Sequence, residues 1–119
     1  MPYLLLILEP KGQRRERSTA EGQAVYGRML DYARTLKERG VLMAVESLRE
    51  DGVRLNVEAG RKRVVDGPFA ESKELIGGFS VMELTGFEEA MDLCRPYAEI
   101  LGGTLEIDVR VIEQDDETT

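Results

Sequence analysis

Histidine is absent from this chain of 119 residues, and cysteine occurs once. Without histidine the commonest general base and metal ligand near neutral pH is missing. The single thiol, Cys94, excludes an internal disulfide and any Cys-based metal cluster. No cofactor or metal site is therefore expected. Positive charge is also scarce: 16 Lys and Arg stand against 23 Asp and Glu, for a net charge of -7 and a pI near 4.7. Such a field repels phosphate backbones and anionic headgroups, so neither nucleic acid nor a membrane surface is an expected partner. No apolar run approaches the ~20 residues of a membrane span. The opening PYLLLIL lacks the basic flank and cleavage site of a signal peptide, and a cytoplasmic location is expected.

What remains reads as one domain over residues 1–113, followed by an acidic tail, 114–119, predicted to be disordered. Tyr3 to Leu8 is apolar at every position, the pattern of a central strand covered on both faces. Ser18-Thr-Ala-Glu21 has capping-box spacing, and Val25, Met29, Tyr32 and Leu36 then share one helical stripe up to a stop at Gly40. Val41–Leu48 and Val53–Gly60 flank Asp51-Gly52, which predicts a hairpin between them. Lys62–Val65 and Phe79–Leu84 add two strands. Thr85 to Glu88 repeats the capping-box spacing ahead of a second helix, whose stripe is Ala90, Cys94, Tyr97 and Leu101. Pro96 removes a backbone donor there, so a break or kink is expected near Arg95. Leu105 to Ile112 alternates, with Leu105, Ile107, Val109 and Val111 on one face and Glu106, Asp108 and Arg110 on the other.

This order predicts an α+β domain with a mostly antiparallel sheet and two helices. Two helices cover one sheet face. Because Tyr3 to Leu8 is apolar on both faces, the other face should also be covered, most simply by a second copy of the chain in a homodimer.

The stretch VVDGPFAESKELIGGFSV, Val64 to Val81, carries more than a chain reversal needs. Asp66 accepts backbone N–H bonds, Pro68 fixes its own φ and pushes Gly67 to an extended conformation, and Phe69 is thereby aimed in one direction. Gly77-Gly78 reads as a close backbone approach or a bulge at the strand start. From Val64 to Ile112 the sequence closely resembles the DGPF-domain branch of the YCII-related (YciI-like) family, with its run DGPFAE-x-KE-x-x-GG. The resemblance extends over nearly the whole chain. It implies a ferredoxin-like domain of the dimeric α/β-barrel type. Some relatives are proposed small-molecule enzymes with a His/Asp pair in a cleft, and DGPF members accompany extracytoplasmic-function sigma factors in genomes.

That pair cannot form here, because the chain has no His. Asp66 carries over as the motif aspartate and is the candidate catalytic acid, with Tyr3, Tyr26, Lys73 or Glu74 as possible partners. A ligand site is expected from Tyr3, Gly67, Pro68, Phe69, Lys73 and Glu74, binding a small organic molecule beside the loop. The alternative is a non-catalytic regulatory or interaction module tied to sigma-factor regulation. Cys94, on an apolar helical stripe, reads as a core thiol, and the basic run KGQRRER as a solvated loop.

Overall fold

The computed structural model describes residues 1–66 and 74–114. The chain runs β1 (Pro2–Pro10), α1 (Thr19–Glu38), β2 (Leu42–Ser47), β3 (Val53–Glu58), β4 (Arg61–Asp66), β5 (Glu74–Glu83), α2 (Phe87–Leu101) and β6 (Glu106–Val111). A short 3-10 turn, Gln13–Glu16, lies between β1 and α1. Four strands form one antiparallel sheet in the order β2-β5-β1-β6, and β3 pairs with β4 in a separate ribbon. With the ribbon set aside, the order β-α-β-β-α-β and this strand arrangement are ferredoxin-like. No helix among the described residues is long and apolar enough to cross a membrane.

β1 is central, as its unbroken apolar run predicts. Tyr3, Leu5, Ile7 and Glu9 face the helices and are buried, while Leu4, Leu6 and Leu8 are half-buried on the opposite face. Both helices pack on that first face, where Leu36, Ala90, Leu93, Cys94 and Tyr97 join Leu5, Met82 and Leu84 in one core. Cross-strand register then places Phe79, Val81, Ala44 and Glu46 beside Leu4 and Leu6 on the open face, with Asp108 and Arg110 along its β6 side. The open face is apolar at its centre and charged at its margin.

α1 begins where Ser18 Oγ accepts from the Glu21 amide at 3.1 Å. It ends in a Schellman arrangement: Gly40, at φ 77°, donates to Lys37 O and Val41 donates to Leu36 O. Three local expectations are corrected. First, β2 pairs with β5, and the hairpin is formed by β3 and β4 around Ala59-Gly60. Both turn residues have positive φ (48° and 83°), as a two-residue type I′ turn requires. Second, α2 passes through Pro96 without a break. Asp92 loses its partner at that turn, but it is exposed, so water can serve in its place. Third, Glu89, rather than Glu88, reaches back to Thr85, at 3.4 Å.

Candidate functional site

Glu9 continues the inward-facing series Tyr3, Leu5, Ile7, and so a carboxylate is carried into the layer between sheet and helices. It is 6% exposed. A charge there needs a partner, since desolvating it alone is costly. Arg14, in the 3-10 turn, supplies one: its Nε lies 2.5 Å from Glu9 Oε1. The same guanidinium donates to Leu48 O at 2.7 Å and to Gly77 O at 2.5 Å. One side chain thus ties β1 to the end of β2 and to β5.

Gly77 is what makes room. Ile7 pairs with Gly78 and Leu8 with Ile76, which leaves Gly77 as the extra residue of a β-bulge. A Cβ at Gly77 would collide with the Glu9 carboxylate and lie 2.7 Å from Arg14 Nη2. At Gly78 a Cβ would lie 2.9 Å from Glu46 O on β2. The two glycines therefore serve separate purposes, one seating the ion pair and the other letting two strands approach.

The basic run after β1 is a clamp, which corrects the solvated-loop reading. Arg15 donates to Glu50 Oε2 at 3.0 Å, the Gly12 amide to Glu50 Oε1 at 3.0 Å, and Arg17 to Leu101 O at 3.0 Å. The Gly12 amide foremost, and then Arg15, hold the Glu50 carboxyl below its usual pKa.

Between α1 and the sheet a groove of about 500 Å³ opens beside the ion pair. It exists because α1 is seated on the core through its C-terminal half: Leu36 is fully buried and Met29 and Tyr32 pack against the core, whereas Leu30 is 47% and Tyr26 64% exposed. Val25, Met29, Leu30 and Ala33 form an apolar wall, and Glu9, Arg14, Arg17 and Ser47 form a polar end. Tyr97 borders the groove from α2. Its hydroxyl and that of Ser80 are buried without a well-formed hydrogen bond among the described residues, and burial pushes the Tyr97 hydroxyl above its usual pKa.

Beside Tyr97, Tyr32 donates to Leu93 O at 2.6 Å, and its ring packs edge-on at 5.0 Å. Its pKa is pushed up to about 12, chiefly by burial and further by Tyr97 and Cys94. Burial also raises the Cys94 thiol, so the thiolate is disfavoured. Near neutral pH both tyrosines are proton donors rather than bases.

Of the residues expected from sequence, Tyr3 and Glu74 are not brought together. Tyr3 is in the core with its ring edge against Phe87 at 5.2 Å, while Glu74 is exposed at the start of β5, opposite Pro10. Seven residues of β1 separate the two positions, roughly 23 Å of strand. Asp66 is the last residue of β4. Gly67, Pro68, Phe69 and Lys73 lie outside the described residues. Glu9 and Arg14 were missed. The signal for Glu9 was its phase with Tyr3, Leu5 and Ile7; Arg14 had none, because its partners lie far along the chain.

The molecule is thus a ferredoxin-like α+β domain with a bulged third sheet strand, an inward carboxylate-guanidinium pair and a groove beside it. The profile of the YCII-related domain matches residues 1–114, and the chain belongs to that family. An uncharacterised protein of Rhizobium meliloti (strain 1021) is 38% identical over 56 residues, a match covering 47% of this chain and 45% of that relative.

Proposed function

We propose that this domain binds a compact amphipathic organic molecule in the groove between α1 and the sheet. The observation that carries the reading is the combination of an apolar-walled groove of about 500 Å³ with a buried ion pair at its polar end. Of the five N–H donors of Arg14, three are used by Glu9, Leu48 and Gly77, which leaves donors for a carboxylate or carbonyl oxygen of the ligand. Leu75 pairs with Glu9, so the start of β5 lies beside the same end of the groove. We assign the DGPF motif residues Gly67, Pro68 and Phe69, with Lys73 and Glu74, to the rim of this cleft. Asp66 is the group we propose for any proton transfer there.

A homodimer formed through the open sheet face belongs to the same proposal. The apolar centre, Leu4, Leu6, Leu8, Phe79 and Val81, and the charged margin are what a self-complementary interface requires. Fluorescence titration with anilinonaphthalene sulfonate, an apolar ring system with an anionic head, tests the groove. Saturable binding to the native protein and loss of at least tenfold in affinity for Ala33→Phe, which fills the apolar wall, are expected. Equal binding by both proteins would refute the placement.

A further inference from the structure

The β3–β4 ribbon alternates as though it were half-buried, yet no element among the described residues buries it. Its register puts Val53, Leu55, Val57 and Val64 on one face and Arg54, Asn56, Glu58, Arg61 and Arg63 on the other. The apolar face is open to solvent, with Val53 67%, Leu55 56%, Val57 57% and Val64 65% exposed. Beyond marginal contact, neither strand packs on another element among the described residues. The shape reflects this: the radius of gyration is 16.5 Å, against the ~13.5 Å of a compact chain of this length. A two-stranded ribbon standing alone in water is marginally stable, and a contiguous apolar strip of this kind marks an interaction surface.

We propose that this ribbon is a docking arm whose apolar face packs on a second copy of the chain. Two observations select that occupant. The arm, Val53–Asp66, carries four basic and two acidic residues in a chain of net charge -7, so the remainder of the molecule is the acidic surface it complements. That remainder also presents an acidic border, Glu46, Glu106 and Asp108, around the open sheet face through which the two copies meet. Lys62 lies on the apolar face of the arm, opposite Val57, where it meets such a border. Two-fold symmetry satisfies both arms at once, since each copy offers an arm and receives one. The β4 strand of the arm ends at Asp66, so the docked partner braces the strand that carries the first residue of the DGPF motif.

This inference rests on the dimer reading above, and its test separates the two. Light scattering and sedimentation over a concentration series would compare the native chain, Leu55→Ser/Val64→Ser, and Met91→Ser as a control of equally exposed apolar character on α2 (57%). Each serine in the arm should weaken association about tenfold through lost apolar burial. The control should leave it unchanged. Hydrogen exchange on the native protein gives a reading free of any substitution: amides of β3 and β4 should be protected in concentrated samples and lose protection on dilution. A dimer that survives the double substitution, or whose β3 and β4 amides exchange equally at both concentrations, would overturn the arm while leaving the dimer standing. A native chain that is monomeric throughout would overturn both.

Discussion

Replacing Gly77 by Ala isolates the ion pair at the polar end of the groove. Gly77 lies outside the left-handed region, so alanine brings no backbone strain. Judged by chain entropy alone it should stabilise the fold by about 0.5 kcal/mol. The added Cβ, however, lands on the Glu9 carboxylate and the Arg14 guanidinium, and one of them must move. Glu9 has 8% of its side chain exposed and Arg14 32%, so the pair is only partly shielded. Breaking a fully buried pair costs about 3–5 kcal/mol. With Arg14 able to reach water, a net loss of about 2 kcal/mol is expected, or ~10 °C in melting temperature for a domain of this size. Urea unfolding at neutral pH and fixed protein concentration would measure it. In a Glu9→Ala background the clash with the carboxylate is gone and Arg14, released from its partner, can yield toward water, so adding Gly77→Ala should cost little further. Coupling of at least ~1.5 kcal/mol in this cycle is the signature. Additive effects, or a Gly77→Ala protein as stable as the native one, would refute the assigned role of the bulge.

Alkaline stability should follow Tyr32. Its folded pKa, about 12, is above the usual 10, so its contribution is complete below pH 10 and is lost as pH rises toward 12; Tyr32→Phe should flatten that limb in pH-dependent urea unfolding. Gly40→Ala should cost about 1 kcal/mol in the same assay, from positive φ alone, since no atom lies within 4 Å of the new Cβ. Asp66→Asn should leave stability nearly unchanged while weakening the binding of cationic or proton-donating ligands in calorimetry, because Asn favours the same turns as Asp and lacks the charge.

Much of the scaffold is legible in periodicity. The unbroken apolar run of β1 marks a central strand, the stripe Val25, Met29, Tyr32 and Leu36 marks the packed face of α1, and alternation marks β6. Strand partnership was not legible at β2. Asp51-Gly52 has strong local turn chemistry, but the strand before it gains more by pairing with β5 inside the main sheet. The true hairpin turn, Ala59-Gly60, carries only its glycine as a signal. The site divides in the same way. Gly77-Gly78 is readable as a bulge, and Glu9 as an inward charge in phase with its neighbours. Arg14 is invisible locally, because its contacts reach Leu48 and Gly77 across the fold. Continuity through Pro96 likewise depends on the exposure of the freed turn, which helix propensity does not encode.

The location of ligand binding is tested most directly by amide chemical-shift mapping of the native protein. Octanoate, with an apolar body and a carboxylate head, and anilinonaphthalene sulfonate would be titrated separately. Shifts concentrated at Val25, Met29, Ala33, Arg14, Gly77 and Gly78, saturating with a single dissociation constant, are the predicted result. Shifts confined to Leu4, Leu6, Leu8 and Val81 on the open face, or no saturable shifts at millimolar probe, would contradict a binding groove between α1 and the sheet.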